Sequence, residues 1–168
     1  MNVLFNSLLS FATLSTLLVA GIVFTFSTII MPGIGKLEDH GFIRAFQVID
    51  SIIQNGQPLF GLVWVGSIIS LFSASILGLW QLDGFAKWLL LTATLIYVVC
   101  VQVPTFSTNV PLNNELQAVN VIDRGATELK EARQRFEARW NRSNDFRSIE
   151  IQSMNVGASE DAEDRCIR

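Results

Sequence analysis

Residues 59–82 read LFGLVWVGSIISLFSASILGLWQL, a run with no Asp, Glu, Lys, Arg or His. A hydrocarbon core about 30 Å thick takes roughly 20 mainly apolar residues in a helix, so the run predicts a membrane span. Two more lie outward from it. Leu4–Ile30 is uncharged, and the first charged side chain of the chain is Lys36. Phe85–Pro104 carries only Lys87, in its first turn, where the stem can stay in lipid while the ammonium reaches the headgroups. The composition agrees: 168 residues, 50% hydrophobic, 16% charged, with a mean hydropathy of +0.41. A net charge of −3 implies no nucleic-acid partner, and the expected partner is the lipid bilayer.

The first run has neither the basic leader nor the short apolar core of a cleaved signal peptide, so it is expected to remain as a helix. Asp83-Gly84 marks a tight turn between the second and third spans, which makes them an antiparallel hairpin with Trp80 and Trp88 at one membrane face. Gly66, Ser70, Ala74 and Gly78 form a small-residue stripe that should face another helix, with Ala12, Thr16 and Ala20 of the first span as the expected partner.

Three spans put the loop after the first and everything after the third on one side. Of the 12 Lys and Arg, only Lys87 falls on the other side. The positive-inside rule then predicts a multi-pass protein of the cell membrane with its N-terminus outside and its C-terminus cytoplasmic.

Polar motifs converge on that cytoplasmic face. In the first loop Pro32 is expected to stop the span, and Phe42, Phe46, Ile49 and Ile53 recur at helical spacing, predicting a short amphipathic helix in the interface. Gln47, Asp50 and Gln54 form its polar stripe, read either as a solvated face or, for Gln47 and Asp50, as groups aimed at a ligand. After the third span, TNVPLNNEL (108–116) carries Asn109, Asn113 and Asn114. Pro104 and Pro111 are expected to break the helix. The asparagines then either cap a new helix near Glu115 or contribute to a site. From Thr127 to Arg147 a charged helix has an apolar seam of Leu129, Ala132, Phe136 and Trp140, which continues by helical steps to Asn144 and Arg147. These two are read either as an exposed Asn with an Arg snorkelling to phosphates, or as part of that site.

Other chemistry is sparse. His40 has no companions at ligand spacing, so no metal is expected. Cys100 and Cys166 do not suggest a structural disulfide, Asn141 opens a sequon on the cytoplasmic side, and residues 148–168 read as a disordered polar tail.

The combination of MPGIGKL with the following Phe, Gln and Ile-Asp, of TNVPLNNEL, and of FEARWNRSNDFR (136–147) resembles the anthrone oxygenase-like membrane family across roughly residues 8–147. The resemblance rests most on Asn109, Pro111, Leu112 and Asn113, followed by Trp140, Asn144 and Arg147. It implies a four-helix membrane bundle and, in fungal members, oxidation of an anthrone to an anthraquinone by dioxygen without a recognised metal or flavin motif. Where relatives usually have Asn-Pro before the second span, this chain reads NGQPLF. Where they enter a fourth span after Arg147, it continues SIEIQSMNVGASEDAEDRCIR, too polar to cross a bilayer.

The expectation is therefore an all-α membrane bundle of three spans (about 4–30, 59–82 and 85–104) within a transmembrane domain 1–112, with an amphipathic loop helix, a juxtamembrane helix 113–147 and the tail 148–168. Two functions remain open. One is a cofactor-independent oxygenase binding an aromatic or phenolic small molecule through Asn109, Asn113, Trp140, Asn144, Arg147, Gln47 and Asp50. The other is a non-enzymatic membrane subunit, or an inactive truncated family member, with a homodimer or membrane partner covering the place of the missing helix.

Overall fold

The computed structural model describes the backbone from Val3 to Cys166 and the side chains through Arg147; the expected tail, 148–168, lies outside the residues whose side chains are described. All regular elements among the described residues are helical. They are α1 (Val3–Thr25), α2 (Met31–Ile34), α3 (Asp39–Gln54), α4 (Pro58–Gln81), α5 (Gly84–Ile96), α6 (Val110–Gln117) and α7 (Ala126–Cys166), with π-helical turns at Phe26–Ile30, Tyr97–Gln102 and Thr105–Asn109. Three continuous helices are long and apolar enough to cross a membrane: Val3–Ile34, Pro58–Gln81 and Gly84–Gln117.

The second span matches the sequence expectation, but the first and third run further than expected. Pro32, Pro104 and Pro111 do not end them. Each proline comes two residues after a π turn. An α-helical proline clashes with the carbonyl four residues back; here those carbonyls belong to Thr28, Cys100 and Ser107, all inside π turns, whose wider rings make room for the pyrrolidine. The chain therefore stays helical through TNVPLNNEL. The third helix holds 34 residues, roughly 50 Å at about 1.5 Å per residue, so its end tilts or projects beyond a core about 30 Å thick.

Within the spans, α1 packs along α4 and α5 returns against α4, so that Gly78 of α4 lies next to both Phe5 and Leu90. Ser70 and Ala74 of the small stripe are buried, and a Cβ on Gly66 would stand 3.0 Å from the Phe11 ring. The α1 side of this seam is Phe5, Ala12, Ser15 and Val19, all buried. Of the expected Ala12, Thr16 and Ala20, only Ala12 belongs to it; the other two line a groove on α1's neighbouring side. Oγ of Ser75 and Oγ1 of Thr94 lie 2.7 Å apart, and Ser67 Oγ and Tyr97 OH 2.6 Å, joining α4 to the third helix where lipid offers polar groups no alternative. The turn residues Trp80 and Trp88 are exposed, as interfacial indoles should be.

At the other end, α2, α3, α6 and α7 form a helical cap around a separate core of Met31, Phe42, Ile43, Phe46, Leu112, Leu116, Leu129, Ala132, Phe136 and Trp140. Phe46 meets Phe136 edge-on with centroids 4.5 Å apart, a geometry that adds to the roughly 1.5–3 kcal/mol from burying each such side chain. Arg133 clamps α7 to the chain leaving the first span. It donates to the carbonyls of Gly35 and Leu37 at 2.8 Å, pairs with Asp39 and Glu137, and lies over the Phe42 ring. The Glu137 carboxylate beside it pushes the Arg133 guanidinium up from its ordinary value.

Candidate functional site

The seam of α7 passes from this cap toward the spans, and its chemistry changes on the way. Leu129, Ala132, Phe136 and Trp140 are buried in apolar packing; Asn144 and Arg147, one and two turns on, are buried too. Neither is exposed or reaches out to headgroups.

From α3, Gln47 and Asp50 also point inward, so the solvated-stripe expectation fails for both, while Gln54 is exposed. The reason is tertiary. The third helix continues as α6 directly against α3 and offers it polar partners. Gln47 Nε2 donates to the carbonyls of Leu116 and Val119 at 2.9 and 2.8 Å, tying α3 to the end of α6 and the turn after it. Asp50 accepts from Asn113 Nδ2 at 2.8 Å on Oδ1, and from Gln54 Nε2 at 2.6 Å and Gln117 Nε2 at 3.0 Å on Oδ2.

The asparagines do not cap. Because the π turn feeds straight into α6, Asn109 has helical dihedrals and makes no capping bond. Asn113 instead bridges two elements, donating to Asp50 and accepting from Trp140 Nε1 at 2.8 Å. Asn109 Oδ1 accepts from Ser143 Oγ at 2.7 Å. Asn144 donates to Ser27 Oγ of the first π turn. Arg147 donates to Asn144 Oδ1 and, at 2.9 Å, to Thr105 Oγ1.

These groups surround a cavity of about 180 Å³ lined by Asp50, Asn109, Asn113, Trp140, Asn144 and Arg147 on the polar side, with Phe26, Phe46, Phe60, Trp64 and Phe106 among its apolar walls. Six of the seven residues singled out in the sequence line it. The seventh, Gln47, binds the backbone of α6 and does not. Two buried donors on its lining residues, Asn109 Nδ2 and Arg147 Nε, have no partner among the described residues. Burial lowers the Arg147 pKa to about 10, which leaves it cationic at neutral pH. The arrangement can hold a flat, mostly apolar molecule beside the polar side chains of Asn109, Asn113, Asn144 and Arg147.

Sequence reading missed Thr105, Ser143, Ser27 and Gln117. Thr105 falls one turn before Asn109, a usable signal. Ser27, inside an uncharged span, carried none. Among the described residues no group of His, Cys, Asp and Glu could hold a metal ion.

Compared with known families, residues 50–151 match the model of the family described as anthrone oxygenase. No curated protein and no solved structure matches the chain.

Proposed function

Since the chain belongs to the anthrone oxygenase family, we propose that the cavity between α3, α6, α7 and the spans binds an aromatic or phenolic small molecule and that the protein oxidises it with dioxygen, needing no metal or organic cofactor. The observation that carries this reading is the pair of buried donors, Asn109 Nδ2 and Arg147 Nε, which have no partner among the described residues and belong to side chains lining a cavity with several aromatic walls. A buried donor without a partner costs about 1–3 kcal/mol, a cost a ligand oxygen would offset. In this reading Asn109, Asn113, Asn144 and Arg147 hold or polarise the ligand's oxygen, and Trp140 packs against its ring. The volume is below the roughly 300–1,000 Å³ of drug-sized ligand sites, which suits a compact planar ring system.

For an anthrone the reaction balances as ketone plus O₂ giving quinone plus H₂O. The enolate carbon is oxidised, the new C–O bond forms to dioxygen, and the O–O bond breaks as water leaves. The protein supplies orientation and stabilisation of the anion, which reacts with dioxygen directly. Purified full-length protein should accelerate quinone formation from an anthrone in air and not under nitrogen, and Arg147→Met should lower that acceleration by about 10²-fold. No gain over the spontaneous aerobic rate would refute the reading.

We also propose that the cap faces the cytoplasm, on the distribution of Lys and Arg. One observation favours a second function, that of a non-enzymatic membrane subunit. A mostly apolar groove of about 630 Å³ lies between α1 and the third helix, lined by Thr16, Ala20, Leu90, Ala93 and Arg147 among others. A partner helix or a second copy of the chain seated there would cover it.

A further inference from the structure

The cavity contains one carboxylate and one guanidinium that do not neutralise each other. Asp50 and Arg147 are 3% and 4% exposed, and neither forms an ion pair with any described residue. Buried charges are ordinarily paired, because taking a lone ion out of water is costly. Among the described residues both are held by neutral groups: Asp50 by the amides of Asn113 and Gln117 from α6 and Gln54 from its own helix, Arg147 by Thr105 and Asn144. A carboxylate offers about four acceptor positions. Oδ2 of Asp50 uses two and Oδ1 one, so Oδ1 keeps one lone pair for another donor.

Resting on the site proposed above, we infer that Asp50 is the proton acceptor of this site and that Arg147 with Asn109 is its oxyanion pocket, so that the site takes an acidic aromatic ligand and holds it ionised. The ligand's O–H bond breaks, or the acidic C–H bond of a cyclic aryl ketone. The proton bonds to Asp50 Oδ1, and the electron pair remains on, or delocalises to, the ligand oxygen facing the guanidinium. Charge is conserved: one buried anion and one buried cation become a neutral acid and an adjacent oxyanion–guanidinium pair. Asn113 positions Asp50 Oδ1, being fixed at its other end by the Trp140 indole.

The test uses 4-nitrophenol, which resists oxidation and is coloured only as its anion. It is added to the full chain in detergent at a pH one unit below the probe's own pKa in that detergent. The bound probe should show the anion spectrum, its apparent pKa lowered by about one unit or more, a tenfold or larger shift. Calorimetry in buffers of different ionisation enthalpy should show no net proton release. Asp50→Asn should leave any anionic binding coupled to release of one proton, and Arg147→Met should return the bound probe to its neutral spectrum. The wild-type measurement stands even if a variant fails to fold. A neutral bound probe would overturn the oxyanion pocket, and an anionic one with stoichiometric proton release would overturn Asp50 as acceptor. An ionised probe without anthrone oxidation would sink only the oxygenase reading; anthrone oxidation with a neutral or unbound probe would sink only this inference; neither binding nor anthrone oxidation would sink both.

Discussion

Asn113 shows how much a single side chain's chemistry can settle. Its amide donates and accepts at once, and both halves are used, one toward Asp50 and one toward Trp140. Were it a helix cap, Asp would replace it at little cost. In its actual place Asp would lose the donor and set a second carboxylate against Asp50. We expect Asn113→Ala to lose about 1–3 kcal/mol of stability and Asn113→Asp to lose more, measured by thermal unfolding in detergent at neutral pH. Two carboxylates sharing a site raise a carboxyl pKa in the folded state above its unfolded value. Protonation then favours the fold, so the gap between the two variants should close as pH falls through that raised value. Equal stability of the Asp variant and the wild type at neutral pH would return Asn113 to a capping role. The asparagines were legible as unusual in the sequence. Which groups they serve was not, because Asp50 lies 63 positions away along the chain.

At the scale of elements, proline was the misleading signal. Local rules end a helix near Pro32, Pro104 and Pro111, but each follows a π turn that widens the backbone and lets the helix continue. Whether a proline breaks a helix or follows a π turn depends on what the neighbouring helices require, which is not written locally. Here α3 and α7 flank the continuation and supply its polar partners. The small-residue stripe of α4 was a sound signal because close approach in lipid requires it, and it seats α1. The groove on α1's other side is mostly apolar. A photoreactive residue at exposed Ala93 tests the subunit reading, whereas Ala74, buried against α1, would report only on the fold. Specific protein adducts at Ala93 in native membranes support a partner helix. Lipid adducts alone would remove that reading.

For the whole molecule, orientation is the open quantity with the simplest check. An impermeant maleimide should label a cysteine placed at exposed Asp83 in intact cells and reach Cys166 only after lysis, with buried Cys100 silent in both. Labelling of Cys166 in intact cells would invert the arrangement. The residue pattern alone shows a three-span helical membrane protein of the anthrone oxygenase family and puts Asn109, Asn113, Trp140, Asn144 and Arg147 into one question. Long uncharged runs have no stable alternative to a helix in lipid, and the motif spacing is a one-dimensional property. Packing, by contrast, keeps the third span unbroken to Gln117, buries Asp50 and Arg147 with no ion pair among the described residues, and sets Gln47 to support α6 instead of lining the cavity. Burial and partnership depend on which surfaces meet, and those meetings join residues far apart in a chain whose local pattern cannot register them.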